Sequence, residues 1–330
     1  MKEKLRGPFQ RNATLKQLRV LAAVANGGKI TGAANQLGVT APAVALQLKM
    51  LEQSVGLPLF DRAQAGMRPT DAGKCALQLH ARIEAALEEC DDMVRALKGL
   101  ESGKASLGVV STTKYFAPIA LAAFARDNPN VQLELLVGNR QETIAALECF
   151  KVDMAIMGRP PETVALEKQE IGDHPHVIVA APAHRFVSAK GIPLRALADE
   201  TFLLREPESG TRILNDHIFA KADVAPRLAM EFGSNETIKQ AVMAGLGVAF
   251  ISAHTVAAEI AEGRLVVLDV RGLPVVRKWY LLRPKAKKLL PAGTALWKFL
   301  VSNARDFLPD VSVLIPRASR HARTARSRQT

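Results

Sequence analysis

Apolar positions in the first hundred residues follow helical periods. Between Thr14 and Asn26 they fall at Leu15, Leu18, Leu21, Ala22 and Ala25, one face of a helix that Thr14 can cap and Gly27-Gly28 can end. The pattern predicts a short helix over residues 31–37, stopped by Gly38, and a third helix after Thr40 that takes Pro42 in its first turn and runs to Val55. Helix, short helix, glycine turn, helix is a helix-turn-helix order, with Val24, Ala34, Leu37, Val39, Val44, Leu48 and Leu51 as its small core. Residues 58–62 and 67–70 read as two extended arms around a wing loop at 63–66.

From Thr70, an N-cap followed by Asp71 in the first turn, a long helix is predicted. Its apolar residues Ala72, Ala76, Leu79, Ile83, Ala86, Cys90, Met93, Leu97 and Leu100 alternate spacings of four and three. That heptad seam points to a paired helix and a dimer. Beyond Gly99 short β-rich runs (105–110, 131–137, 152–157, 176–180, 227–232, 247–251, 265–268, 279–282) alternate with helical ones (118–127, 141–150, 211–221, 236–244, 253–262, 291–304). This indicates an α/β domain with mostly parallel sheet. The expected organisation is a winged helix-turn-helix over 1–70 (the motif itself about 30–49), a linker and dimerisation helix over 71–100, an α/β domain over 101–308, and an Arg-rich tail without periodicity over 309–330.

Charge sharpens this division. Residues 1–74 carry 11 Lys and Arg against 4 Asp and Glu, residues 101–315 carry 25 against 23, and the last fifteen carry five arginines and no acid. The basic N-terminal module suits a polyanion such as DNA; a merely solubilising basic face is the alternative. With 48% hydrophobic and 23% charged residues the composition is that of a soluble globular chain. No run approaches membrane-helix length, and the basic start has no apolar segment after it, so a cytoplasmic location is expected. Three widely spaced cysteines (Cys75, Cys90, Cys149) argue against a disulfide framework or a zinc site; Cys90 on the seam and Cys149 on a helix read as small core residues. G-x-S-x-G, Walker A and H-E-x-x-H motifs are absent, and His174-Pro175-His176 reads as a loop, so no enzyme is expected.

Three sequence features carry a family resemblance. The segment LKQLRVLAAVANGGKITGAANQLGVTAPAVALQLKMLEQSVGLPLFDR followed by RPTDAG presents T-x-A-A-x-x-L, G-x-P-L-F-x-R and T-x-A-G in one order. It resembles the LysR-type transcriptional regulators over about residues 13–305. Within that family STTKYFAPIALAAF, DMAIMGRPP, FLLREPESGTR and SNETIKQAVMAGLGVAFISAHT are similar to regulators of Calvin-cycle (RuBisCO operon) genes. The resemblance implies a two-lobed effector domain of periplasmic-binding-protein type with crossing strands, and a homodimer or homotetramer that binds double-stranded DNA. It also implies RNA polymerase as a partner, no cofactor, no metal, and an allosteric effector that is a phosphorylated metabolite or NADPH. A regulator of another operon sensing an aromatic or amino-acid-derived acid is the second reading, and a solute-binding protein the remote one.

In helix-turn-helix proteins the second helix of the motif enters the major groove by its N-terminal residues. Here those are Thr40, Pro42, Ala43 and Gln47, with Lys49 further along. Gln47 can contact adenine bidentately; Ala45 stands where the family usually has serine. Thr31 is placed for a phosphate, and Arg62 and Arg68 flank the wing. In the α/β portion, Ser111-Thr112-Thr113, Gly210-Thr211-Arg212 and Asn235-Glu236-Thr237 lie at predicted helix starts, where exposed N–H groups favour anions. Arg212 is suited to a phosphate edge. Each of these turns could equally be an empty N-cap, with Arg212 paired to Glu206 or Glu208.

Overall fold

The computed structural model describes residues 12–63, 66–97, 103–226 and 228–311. Contacts divide them into two units, one reaching to Val94 and taking in Glu148–Lys151, the other holding the rest.

In the N-terminal unit, α1 (Leu15–Gly27) opens with a complete capping box: Gln17 N donates to Thr14 Oγ1, and the Gln17 side chain accepts from Thr14 N. Then come α2 (Ile30–Leu37) and α3 (Ala41–Val55). Gly38 at φ 64° turns between them, in the left-handed region that glycine enters without strain. Leu18, Leu21, Val24, Ala33, Ala34, Val44, Leu48 and Leu51 form the core. Val39, expected within it, is 40% exposed, because it sits in the turn beyond Gly38 and faces outward. A two-stranded wing, β1 (Phe60–Ala63) and β2 (Gly66–Pro69), pairs Asp61 with Arg68.

Helix α4 (Asp71–Leu97) follows, capped by Thr70, whose Oγ1 accepts from Gly73 N and donates to Pro58 O. A Cβ at Gly73 would fall 2.1 Å from Leu59 O, so only glycine lets the helix approach the wing this closely. Ala76 and Ile83 pack on the unit's own core, whereas Ala86, Leu87, Cys90 and Val94 are exposed in the single chain. The seam residues Met93 and Leu97 have side chains outside the described ones; Leu100 and the tail from 312 lie outside the described residues altogether.

The second unit is a two-lobed α/β structure. Lobe I holds β3 (Lys104–Val110), β4 (Gln132–Gly138) and β5 (Met154–Met157), with α5 (Ala117–Asp127), α6 (Arg140–Glu148) and α10 (Pro291–Asn303). Lobe II holds β7 (Thr201–Arg205), β8 (Leu228–Phe232), β9 (Ala249–Ser252) and β10 (Val266–Val267), with α7 (Gly210–Lys221), α8 (Asn235–Met243) and α9 (Ala253–Ala261). Two long antiparallel strands, β6 (Leu166–Ala180) and β11 (Val275–Pro284), cross between the lobes. The main sheet runs β10-β6-β11-β5-β3-β4, with β9 also on β6.

The sheet is mixed and not mostly parallel. Among the described strands β3–β4, β3–β5 and β7–β8 pair in parallel, while β6 and β11 pass through both lobes and impose antiparallel partners on β5, β9 and β10. The crossing also explains the longer strand: 166–175 pairs with β11 although its outer half is polar, so no alternating pattern marks it. His174-Pro175-His176 therefore lies inside a buried strand and not in a loop. Strand β7 was likewise absent from the periodicity reading. Cys149 is half-buried, one residue beyond α6.

Candidate nucleic-acid interface and anion cleft

Helix α3 presents two faces. Val44, Leu48 and Leu51 are buried, while Pro42, Ala43, Ala45, Leu46, Lys49 and Met50 are exposed. Thr40 caps the helix, accepting from Ala43 N at 3.4 Å, which holds its N-terminal turn outward. Gln47 is half-buried at the edge of that face, and Thr31 is exposed on the first turn of α2. The residue that caps α2 is Lys29, without a side-chain bond, so Thr31 is not engaged as a cap. Arg68 is exposed on β2; Arg62 is opposite Met67 in the wing, its side chain outside the described ones. The wing is tied to the turn before α2 by Met67 N donating to Gly28 O at 2.9 Å. The exposed face of α3 carries Lys49 and the wing carries Arg68, and neither has a carboxylate partner among the described residues.

The second site is a cleft at the carboxyl ends of strands from both lobes. Ser111 and Thr112 follow β3, Asn139 and Arg140 follow β4, Gly158 and Arg159 follow β5, and Arg205 ends β7 ahead of Ser209, Gly210 and Thr211 at the start of α7. The crossing strands supply the floor: His174 and His176 from β6, Arg277 and Trp279 from β11. Strand ends of an α/β sheet are where ligands bind in such folds. Among the described residues four guanidinium groups, and no carboxylate, line the cleft.

These arginines are held differently. Arg205 is buried and donates to both oxygens of Glu206 at 2.6 Å, to Asn235 Oδ1 at 2.7 Å and to Ser111 Oγ at 3.2 Å. Arg140 donates to the carbonyl of Arg159 at 2.6 Å. Burial, and then the neighbouring Arg159 charge, pulls Arg140 below its ordinary value. Among the described residues Arg140, Arg159 and Arg277 have no carboxylate partner. Guanidinium groups placed this way, without carboxylates to neutralise them, are chemically suited to an anion.

The floor is an aromatic stack. His174 lies on Trp279 with centroids 3.6 Å apart, and Trp279 Nε1 donates to His254 Nδ1 at 3.1 Å. Burial holds these imidazoles neutral: His176 is pushed down to about 3 and His254 to about 4, and His174 is also well below the ordinary range. The Arg277 charge adds to the effect at His174 and His176.

Ser111, Thr112, Gly210 and Thr211 line the cleft. Thr113 is fully buried and its Oγ1 donates to Val110 O at 2.7 Å; it closes a 3₁₀ turn, Ser111–Tyr115, that precedes α5. Arg212 faces away from the cleft, bonded to Asp216, to Glu231 and to the carbonyl of Arg205. Its partners are thus neither Glu206 nor Glu208. Asn235 bridges Arg205 to Thr112, Glu236 accepts from Tyr115 and pairs with Lys239, and exposed Thr237 donates from its backbone to the Ser234 cap. Sequence reasoning missed the arginines. Arg159 stands two residues after the predicted β-run 152–157, whereas Arg205 ends a strand that the periodicity does not mark.

Residues 15–74 match the description "Bacterial regulatory helix-turn-helix protein, lysR family", and residues 98–305 match "LysR substrate binding domain". The chain belongs to the LysR family. It is 51% identical over 300 residues to the HTH-type transcriptional regulator CbbR of Xanthobacter flavus, covering 90% of each chain. It is 39% identical over 296 residues to the RuBisCO operon transcriptional regulator of Acidithiobacillus ferrooxidans, covering 90% of this chain and 96% of that one. Among solved structures it is similar to the regulatory domain of Synechocystis PCC6803 CcmR in complex with 2-PG, with TM-score 0.59, 34% identity, and coverage of 61% of this chain and 96% of that one. The LysR regulator CbnR, solved full-length with its target DNA, matches with TM-score 0.62 at 22% identity over 87% of this chain and 99% of that one, which shows the shared fold. As a LysR-type regulator the chain is built for control of transcription, and among its described residues no helix is long and apolar enough to cross a membrane.

Proposed function

We propose that this LysR-type regulator acts in the cytoplasm as a homodimer or homotetramer on carbon-fixation (Calvin-cycle) genes, and that a small phosphorylated metabolite gates it. The observation that carries the effector reading is the cleft in which Arg140, Arg159 and Arg277 stand without carboxylates beside the hydroxyls of Ser111, Thr112 and Thr211. Phosphate suits such a site, since guanidinium forks and helix-start N–H groups match its oxygens. Thr113, Arg212, Asn235, Glu236 and Thr237 act from behind, fixing the turns and Arg205. The names of the CbbR and RuBisCO operon relatives support the choice of operon, and the 2-PG complex of CcmR supports a phosphate ligand.

On the DNA side α3 enters the major groove, with Thr40, Pro42, Ala43 and Gln47 toward base edges, Lys49, Thr31 and Arg68 toward phosphates, and Arg62 in the same role on the wing. Two copies pair through the exposed α4 face around Leu87 and Cys90. A ligand that binds the closed cleft better than the open one biases that population, with coupling of about 1–3 kcal/mol expected.

Calorimetry with sugar phosphates, NADPH and unphosphorylated aromatic acids tests the cleft. Phosphate esters should bind, and Arg140→Ala together with Arg277→Ala should weaken them by about tenfold or more. Binding of the unphosphorylated acids alone would refute the phosphate reading. Footprinting upstream of a carbon-fixation operon, with and without the bound ester, tests the DNA half.

A further inference from the structure

Lobe II contains a second cavity, of about 450 Å³, behind α7. Ile178 of β6, Leu214 and Phe219 of α7, Phe250 of β9 and Val270 are buried residues that form its floor. His217, Lys221 and Arg271 stand exposed at its mouth, and among the described residues no carboxylate lines it. Among the described residues the side chains of these three cationic or titratable groups have no partner. Leu214 and Arg277 line both this cavity and the cleft, so the two spaces adjoin at the same pair of side chains.

We infer that this cavity is a second ligand site, for a small anion with an apolar body such as an aromatic or branched aliphatic carboxylate. A bare phosphate or a sugar leaves the apolar floor uncovered and its own hydroxyls unpaired against it. A neutral hydrocarbon desolvates the mouth cations without return. An apolar body on the floor with its anionic group at Lys221 and Arg271 satisfies both, and the volume is of the order usual for small-molecule sites. The site is distinct from the cleft and does not depend on what the cleft binds. Because Leu214 and Arg277 are shared walls, an occupant here alters the cleft without entering it, which is coupling between two sites in the thermodynamic sense.

The full chain is titrated with 4-phenylbutyrate by calorimetry, with and without saturating inorganic pyrophosphate. Saturable binding is expected, weakened by about tenfold or more in the Lys221→Glu, Arg271→Glu double variant. Both positions are exposed, so the fold is retained, and circular dichroism checks it. A filling substitution at half-buried Ile218, Ile218→Trp, gives a second readout that leaves the mouth charges in place and should also weaken binding. Pyrophosphate should change the affinity to a plateau and not compete it away. Three outcomes overturn the inference: no saturable binding below about 10 mM, binding untouched by both variants, or simple competition with pyrophosphate, which would put the carboxylate in the cleft.

Discussion

The two cationic surfaces of this protein are built on opposite principles. On the DNA-binding unit Lys49 and Arg68 are exposed and free, each in water of high dielectric where a single ionic contact is worth little and many must add. In the cleft Arg205 is buried, locked to Glu206, Asn235 and Ser111, with Arg140 fixed against the carbonyl of Arg159. A polyanion that slides and is sampled in many registers suits the first kind; a small anion read in one pose suits the second, because preorganised donors in a dry site need not reorganise. The difference teaches that charge alone does not define a site. What counts is how much of the fold each cation is tied to.

Acid should separate the two units most strongly. The folded state holds His174, His176 and His254 neutral, with values far below the ordinary 6.5. Their contribution to stability is complete above about pH 6.5 and is lost as pH falls toward about 4 for His254 and about 3 for His176, each by up to ~1.4 kcal/mol per pH unit. Both tryptophans, Trp279 and Trp297, lie in the effector unit, so their fluorescence follows that unit alone. Urea midpoints by tryptophan fluorescence should fall steeply between pH 6.5 and 4.5; a flat profile would break the comparison.

Next in size is Arg205→Met. Removing one member of a buried ion pair that also anchors Asn235 should cost about 3 kcal/mol in urea unfolding and abolish the response to a phosphate ester. Lys49→Met, its counterpart on the DNA unit, should leave stability within about 0.5 kcal/mol. Equal effects on stability would erase the distinction.

Gln47→Ala tests base reading, with an expected loss of about 1–3 kcal/mol confined to its base pair in competition assays. The smallest change is for Arg68→Ala: weaker binding to every duplex, with the salt slope reduced by about 0.9. Cleft affinity measured over the same salt range should fall much less, since its cations are screened less.

The helix-turn-helix was legible from sequence because its signals are local. Thr14 caps and Gly38 turns where expected, and the third helix starts after Thr40 as expected, since caps and left-handed turns depend on neighbours in the chain. Val39 was the exception, its burial decided by which way the turn faces. In the effector unit, helices were found to within a residue or two, but strand β7 and half of β6 were not, because pairing with β11 fixes them. The cleft was half legible. Ser111, Thr112, Gly210 and Thr211 sit at helix starts that sequence marks. Arg140, Arg159 and Arg205 come from three strand ends and Arg277 from within β11, far apart in the chain, and nothing in a linear pattern separates them from Arg212, which is bonded to Asp216 and Glu231 instead.

The absent side chain at Gly73 has a mechanical consequence. Leu59 O leaves no space there, and Thr70 bonds to both Pro58 and Gly73, so the foot of α4 is fused to the wing with no joint to absorb a tilt. With 27 residues the helix is a rod roughly 40 Å long at 1.5 Å per residue. Swinging such a rod by about 5° carries one end about 3.5 Å relative to the other, close to the ~3.4 Å rise of one base along a strand. A leverage of that ratio turns degrees into base steps, and its fulcrum is a residue with nothing beyond its Cα.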